Sequence, residues 1–337
     1  MKEIAMKEIA PDFRGIAVIV RGDETLCRYS NGFADRVNEI PNTTETRFAC
    51  ASMSKTFVAV GILQLIERGS LRLEDTLGKL LPIELNQIDP DVTVKQLLTH
   101  TSGVPDYFDE SVMDDYEALW KDLPNYRIRH NSDLLSLFID KPMMYPKGEK
   151  FQYNNSGYVL LAQILEQVTG MAFDRYLKES VFDVCHMDAT GYFEFDRLPA
   201  GCANSYIRCG ETGDYRTNIY SVGAKGTGDG GAFVTVDDIV RFWRGLLEHR
   251  LLSEETVAAM LSRQSGEGKD PEEGYYGYGV WIIDRPNGRD IPYMQGCDDG
   301  VSAFAEYNPD NGMISVLLSN YGDNVWAAMR EIRKRYY

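Results

Sequence analysis

The pattern of hydrophobic positions predicts strands at both ends of the chain and helices between them. Apolar runs and alternating patterns typical of strands lie at residues 15–21, 25–29, 279–284, 300–307 and 313–318. Turn sequences separate the first two segments and also the last two. This order favours an antiparallel sheet that uses both ends of the chain.

Helical periodicity dominates the middle of the sequence. It is found at about 53–68, 114–121, 132–140, 158–168, 235–247, 253–263 and 324–337. Residues 201–231 are interpreted as a loop region and residues 266–274 as a linker. The predicted fold class is α/β (α+β), with helices flanking the sheet. Residues 1–12 are predicted to be an N-terminal extension, and 13–337 a single domain with a mostly helical lobe at about 70–205.

Ser52 and Lys55 stand where small apolar residues lead into a long apolar helix. If the helix begins near Ser52, both side chains lie on one face, beside free backbone N–H groups. A serine beside an amine at a helix start is a candidate nucleophile. The alternative is that Ser52 caps the helix and Lys55 is a solvated charge. The small and apolar neighbours of Lys55 favour the catalytic interpretation.

A Tyr-x-Asn sequence occurs twice. Tyr29 and Asn31 lie in strand-and-turn sequence, so we assign them no catalytic role. Tyr153 and Asn155 follow a Pro-Lys-Gly turn at the start of a helix. Tyr153 could relay a proton to and from the serine, and Asn155 could hold the lysine or a substrate carbonyl. The alternative is a core tyrosine and a capping asparagine.

These segments together resemble the serine beta-lactamase and penicillin-binding-protein superfamily, over about residues 13–337. Ser52-x-x-Lys55 matches the first family motif and Tyr153-x-Asn155 the second. The stretches VTVKQLLTHTSGVPDY and YNNSGYVLLAQILEQVTG, at 92–107 and 153–170, are similar to the family throughout. The sequence looks closest to the branch of class C beta-lactamases, DD-peptidases, D-aminopeptidases and esterases. The resemblance implies an acyl-enzyme on Ser52, with Lys55 as base, Tyr153 as relay, and no metal or cofactor.

The third family motif, normally Lys-Thr-Gly or His-x-Gly, falls on Met294, Gln295 and Gly296. Loss of its cation argues against beta-lactams and peptides with a free C-terminus, and leaves neutral esters or amides. The resemblance places the oxyanion hole at the backbone N–H groups of Ser52 and Cys297. The residues expected to bind the substrate are Asn155, Met294, Gln295, Gly296 and Cys297. Next to them, an acidic rim at 298–299 could favour an amine.

Net charge and cysteine spacing argue against several classes of partner and cofactor. The net charge of −16 argues against nucleic acid and anionic membranes as partners. The six cysteines have no C-x-x-C spacing, so neither zinc nor a disulfide framework is expected. With no apolar run long enough for a membrane span and no signal peptide, the expectation is a soluble cytoplasmic protein. His100 is expected to be structural, and Tyr107, Tyr220 and Asp229 are candidate pocket residues.

The expected function is an esterase-type serine hydrolase acting on a small ester or peptide-like substrate. One alternative is a D-amino-acid-specific peptidase or amidase, or a DD-carboxypeptidase. Another is a penicillin-recognising binding protein with weak catalysis. The oligomeric state stays open.

Overall fold

The computed structural model describes residues 4–210, 213–266 and 274–336. Its α-helices are α1 (Met6–Ile9), α2 (Lys55–Glu67), α3 (Leu77–Leu80), α4 (Val94–Leu98), α5 (Asn155–Thr169), α6 (Phe173–Leu177), α7 (Val236–Leu247), α8 (Glu254–Met260) and α9 (Val325–Tyr336). Its strands are β1 (Gly15–Arg21), β2 (Glu24–Asn31), β3 (Phe33–Asp35), β4 (Ile40–Pro41), β5 (Phe48–Ala49), β6 (Tyr206–Cys209), β7 (Asp214–Thr217), β8 (Phe233–Val234), β9 (Ser265–Gly266), β10 (Tyr275–Tyr276), β11 (Trp281–Ile283), β12 (Ile291–Asp298), β13 (Val301–Asn308) and β14 (Met313–Ser319).

The main sheet has the strand order β2-β1-β14-β13-β12-β11-β10-β9. Strand β1, from the start of the chain, pairs antiparallel with β14, near its end, and Val18 lies opposite Val316. The predicted fold class is therefore confirmed, including the use of both chain ends in one antiparallel sheet.

Each face of the sheet carries its own hydrophobic core because side chains alternate along every strand. On one face, Val18 and its alternate neighbours pack with α2, α5 and α7 in the larger core. On the other face, Ile19 packs with α9 in a smaller core. Helix α2 is buried along nearly its whole length between the sheet and the other helices.

The N-terminal residues belong to the smaller core. Ile4 and Met6 are each 2% exposed and pack with residues of β1 and α9. The backbone N–H of Ile4 also donates to the carbonyl oxygen of Leu26. Apolar side chains of this segment are therefore buried in the smaller core, and the boundary after residue 12 stays a prediction.

The helical lobe contains less α-helix than its sequence predicts. In place of helices at 114–121 and 132–140, the chain forms 3₁₀ turns at Ala118–Trp120, Asn125–Arg127 and Asn131–Leu137. Another 3₁₀ turn spans Ala51–Ser54, so α2 begins two residues later than predicted. The region predicted as a loop at 201–231 contains the β6–β7 hairpin. The predicted linker falls largely on residues 267–273, outside the described part of the chain.

The second long helix begins and ends with standard local signals. The side-chain oxygen of Asn154 accepts from the backbone N–H of Gly157 and caps the first turn of α5. Gly170 ends the helix in the left-handed conformation, with φ of 66°. The first residues of α2 and α5 are in contact, since Lys55 Nζ donates to Oδ1 of Asn155. Among the described helices, none combines the length and apolar character needed to cross a membrane.

Candidate active site

Ser52 and Lys55 are joined by the 3₁₀ turn that precedes α2. In a 3₁₀ turn, side chains three residues apart are eclipsed, so the two lie directly above one another. The Nζ atom of Lys55 is 2.8 Å from the Oγ atom of Ser52. Ala51 enters the turn with φ of +45°, a conformation that costs a non-glycine residue about 1–3 kcal/mol. The surrounding fold therefore stabilises an unfavourable backbone next to the candidate nucleophile.

Two further acceptors hold the Lys55 amine. Its Nζ atom donates to Oδ1 of Asn155 at 2.8 Å and to the backbone oxygen of Asp229 at 2.5 Å. Both oxygens can only accept, so together they occupy the two N–H groups of a neutral amine. The remaining lone pair then faces the hydroxyl of Ser52. The geometry therefore suits an amine that accepts a proton from the serine.

Burial also favours the neutral amine. Lys55 is 1% exposed, and desolvation lowers its pKa from the usual 10.5. Nearby carboxylates oppose this shift, those of Asp229 and Glu110 most strongly. The net direction is downward, which raises the fraction of unprotonated Lys55 at neutral pH.

Tyr153 lies on the other side of the serine. Both residues line the same cavity, the Ser52 hydroxyl acts to lower the pKa of the Tyr153 phenol, and the Lys55 Nζ atom is 4.9 Å from the centre of the tyrosine ring. Its ring packs between Trp281, with centroids 5.7 Å apart, and His100, at 4.5 Å. Desolvation raises the pKa of its phenol well above 10, and the Glu110 carboxylate raises it further. Tyr153 therefore stays protonated and can pass protons without becoming a phenolate in the resting state.

Strand β12 passes close to the backbone around Ser52 at Gly296. A Cβ atom at this position would lie 2.2 Å from the oxygen of Cys50 and 2.8 Å from the nitrogen of Ser52. Only a glycine lets the two segments approach this closely. The predicted third motif thus lies beside the serine, with the Cys297 backbone next to it.

The other side chains of the predicted third motif differ in their exposure. Met294 is 1% exposed and belongs to the larger hydrophobic core, so its predicted contact with a substrate is not supported by the geometry. Gln295 lines a cavity, and its Oε1 atom accepts from Nε1 of Trp326 at 2.6 Å. The Cys297 thiol is exposed at the same cavity. Its pKa is raised to about 12, by desolvation and by nearby carboxylates such as Asp298.

Asn155 is committed to holding Lys55 in place. While Oδ1 accepts from the lysine, its Nδ2 atom donates to the oxygen of Phe108 at 3.0 Å and to Glu110 at 3.2 Å. Of the two roles predicted for Asn155, the structure therefore supports the contact with lysine. Neither Glu110 nor Phe108 was singled out in the sequence, because an acidic, aromatic loop gives no motif for them.

Asp106 is a third residue that the sequence patterns do not reveal. Its carboxylate accepts from the backbone N–H groups of Asn155 and Ser156, each at 3.0 Å, at the start of α5. It is 8% exposed, and burial raises its pKa to about 7. It anchors the start of the helix that carries Asn155.

Two cavities meet at Ser52, one on each side of β12. The first extends into the helical lobe and has aromatic walls that include Phe108, Tyr116 and Trp120. It also exposes the carboxylates of Glu110 and Asp298. Of the three pocket residues considered from the sequence, Tyr107 and Asp229 line this cavity, whereas Tyr220 is 67% exposed on the surface.

The second cavity lies on the sheet side, toward α9. Besides Ser52 and Tyr153, it is lined by aromatic residues, including Trp281 and Trp326, and by Arg330. Side chains along a strand point alternately to opposite faces, so β12 presents Gln295 and Cys297 to this cavity and Asp298 to the first. The serine therefore has room for one part of a substrate on each side.

Comparison with known proteins identifies the family of the chain. The Beta-lactamase family model matches residues 6–335. The chain belongs to the Beta-lactamase family. Members of this family are serine hydrolases. The family also includes penicillin-binding proteins, as the resemblance of the motifs indicated.

Relatives of this Beta-lactamase family member span nearly its whole length. It is 29% identical to penicillin-binding protein 4* of Bacillus subtilis (strain 168), covering 91% of this chain and 68% of that protein. The crystal structure of a penicillin binding protein from Bacillus halodurans superposes with a TM-score of 0.92 at 39% identity, covering 98% and 99% of the two chains. A D-amino acid amidase from Ochrobactrum anthropi SV3 shares the fold, with a TM-score of 0.79 at 20% identity and coverage of 98% and 97%.

Proposed function

We propose that this Beta-lactamase family member is a serine hydrolase that cleaves neutral esters or amides through an acyl-enzyme. The observation that carries the proposal is the buried Lys55 amine, 2.8 Å from the Ser52 hydroxyl and held by two oxygens that can only accept. This arrangement suits a general base beside a nucleophile.

In the proposed reaction, Oγ of Ser52 attacks the substrate carbonyl as Nζ of Lys55 takes its proton. The backbone N–H groups of Ser52 and Cys297 stabilise the resulting oxyanion, each contributing about 3 kcal/mol. The proton passes through the Tyr153 hydroxyl to the leaving group, whose bond to the carbonyl carbon breaks. Water then attacks the acyl ester, and Ser52 recovers its proton as the acid product leaves.

The proposed preference for substrates without a carboxylate on the leaving group rests on the third motif. A family-type cation at position 294 is replaced by a methionine that lies in the hydrophobic core. This position therefore supplies no charge for a substrate carboxylate. Beta-lactams and peptides with a free C-terminus are thus disfavoured as substrates in this proposal.

Covalent labelling tests the mechanism. We expect a fluorophosphonate to add one adduct to the wild-type protein, detected by intact mass, and none to Ser52→Ala. A panel of p-nitrophenyl esters, D-alanyl amides and nitrocefin then defines the substrate class. A wild-type protein that is folded but never labels contradicts the proposed function. Labelling without turnover of any substrate favours the penicillin-recognising binding protein.

A second candidate is an amidase for substrates with a protonated amine, and the first cavity favours it. Asp298 faces this cavity and makes no hydrogen bond or ion pair with another described side chain. Its pKa is raised to about 8 by desolvation and by the nearby Glu110 carboxylate. A substrate ammonium group between the two carboxylates would relieve their repulsion, and aromatic walls suit a cation as well. A D-amino acid amidase shares the fold of this chain.

Matched substrates separate the two candidates. We compare D-phenylalanine amide with 3-phenylpropionamide, which lacks the amine, in the wild type and in Asp298→Asn. The amidase candidate requires a higher kcat/KM for the amine substrate, and a loss of that preference in the variant. Equal rates for both substrates in the wild type favour the esterase and exclude recognition of the amine.

A further inference from the structure

His100 is buried directly behind Tyr153, at the end of the helix α4. It is 1% exposed and has a φ of +54°, a left-handed conformation that side chains other than glycine rarely adopt. A strained, buried polar residue of this kind persists only where neighbouring contacts hold it. Its contacts therefore indicate what the position does.

The peptide groups on both sides of Tyr153 bind to His100. The backbone N–H of Gln152 donates to the His100 carbonyl oxygen at 2.9 Å. The backbone N–H of Asn154 donates to the Nδ1 atom of the imidazole at 3.1 Å. One residue thus determines the position of the backbone immediately before and immediately after the tyrosine.

The imidazole ring also contacts the tyrosine ring. The two centroids are 4.5 Å apart, and the planes are tilted by 41°. On its other sides, the imidazole packs against Tyr158 and Tyr276, with centroid distances of 5.1 and 4.6 Å. His100 is therefore a rigid spacer between this aromatic cluster and Tyr153.

The hydrogen bond to Nδ1 determines which nitrogen carries the proton. Because Nδ1 accepts, the proton of the neutral ring is on Nε2. Nε2 is buried without a hydrogen-bond partner in the described part of the chain. Burial holds the pKa of His100 well below 6.5. A neutral imidazole thus keeps Nδ1 available as an acceptor, which a phenyl ring of similar shape could not do.

From these contacts we propose that His100 is the positioning residue of Tyr153. Its carbonyl oxygen and Nδ1 hold residues 152 and 154, and its ring sets the tilt of the phenol toward Ser52. His100 touches neither the substrate nor the reacting atoms, so its effect passes entirely through the tyrosine. The inference rests on the proposed function, in which Tyr153 relays protons to and from Ser52.

A double-mutant cycle tests this dependence. His100→Ala removes the acceptor and the ring, and we expect it to lower kcat for a p-nitrophenyl ester about 100-fold while KM changes less than about threefold. His100→Asn keeps an acceptor and tolerates the left-handed backbone, so it should recover part of the loss. In a Tyr153→Phe background, His100→Ala should have little further effect, because the relay is already absent.

Tyr276→Leu is the matched control for loss of aromatic packing. It removes another wall of the imidazole but leaves both hydrogen bonds to residues 152 and 154 in place. Thermal melting compares the stability of all variants, and we expect Tyr276→Leu to lower the melting temperature without a comparable loss of kcat. If His100→Ala does not fold, His100→Asn takes its place in the cycle.

The outcomes distinguish the positioning role of His100 from the acyl-enzyme mechanism on which it rests. Additive losses from His100 and Tyr153, or an equal loss of kcat in Tyr276→Leu, overturn the positioning role but leave the acyl-enzyme mechanism intact. Absence of any labelling of the wild type by a fluorophosphonate overturns the mechanism itself. The positioning role is supported if His100→Ala lowers kcat only when Tyr153 is present and His100→Asn recovers part of the loss.

Discussion

The Nζ atom of Lys55, the first residue of the buried helix α2, lies 2.8 Å from the Oγ atom of Ser52 in the preceding 3₁₀ turn. The lysine is excluded from solvent, whereas the serine borders both cavities. A base that is desolvated and a nucleophile that is accessible are thus three residues apart. This separation of environments allows a lysine to act as a base near neutral pH.

The first prediction concerns the amine of Lys55. We expect Lys55→Met to slow the labelling of Ser52 by a fluorophosphonate about 1,000-fold, because no other base contacts the hydroxyl as closely. The pseudo-first-order rate of labelling, followed by intact mass, measures the effect. Lys79→Met is the control, since Lys79 pairs with Asp75 on the surface. A Lys55→Met protein that labels at the wild-type rate rules out the lysine as base.

The second prediction concerns the pH dependence of the same step. Labelling requires neutral Lys55, so its rate should rise with pH through the lowered pKa of Lys55, below 10.5. Asn155→Asp places a carboxylate against the amine and should raise that pKa, so the increase in labelling rate should move to higher pH. Asn155→Ala removes the contact without adding charge, so it should shift the pH dependence of the labelling rate less. If the labelling rate depends on pH in the same way in the wild type and in Asn155→Asp, a group other than Lys55 controls that dependence.

The sequence predicted the parts of the site that depend on local spacing. Ser52 and Lys55 are close along the chain, and a short helical turn is enough to bring them together. The position of Tyr153 followed from its place just before a capped helix. The antiparallel sheet was predictable because strand-like patterns at both chain ends must pair with each other to bury their apolar faces.

Other features depend on contacts between distant segments and could not be predicted. The burial of Met294 follows from which face of β12 packs on α2, and the sequence of the strand alone does not determine this. The contact of Glu110 with Asn155 depends on the path of an irregular loop. Similarly, the β6–β7 hairpin has only weak alternation, and its pairing follows from the surrounding fold.

The third prediction concerns the close approach of β12 to the serine turn. Gly296→Ala would place a Cβ atom 2.2 Å from the oxygen of Cys50, so one backbone segment must move. We expect a loss of about 2–3 kcal/mol in the free energy of unfolding, measured by urea denaturation. Gly230→Ala is the matched control, since its Cβ would lie 3.7 Å from the nitrogen of Ser52, an ordinary contact distance. A loss of stability no greater than in this control would disprove the steric argument.

The fourth prediction concerns the buried carboxyl of Asp106. Its pKa is about 7 in the folded protein and about 3.8 when unfolded, so folding favours its protonated form. The free energy of unfolding should therefore decrease as pH rises from about 4 to about 7. An experiment from pH 5.5 to 8.5 covers the upper part of this range, from about pH 5.5 to about pH 7. Over these roughly 1.5 pH units, the free energy of unfolding should fall by about 2 kcal/mol.

Asp106→Asn removes this titration and should flatten the pH dependence of stability by that amount. The variant also loses one acceptor for the N–H groups of Asn155 and Ser156, but this cost does not vary with pH. The measurement is urea denaturation of the wild type and the variant at several values between pH 5.5 and 8.5. Asp114→Asn, at an exposed position, controls for the loss of a surface charge. Parallel curves for Asp106→Asn and the wild type would mean that Asp106 titrates outside this range, and that burial does not raise its pKa as the structure indicates.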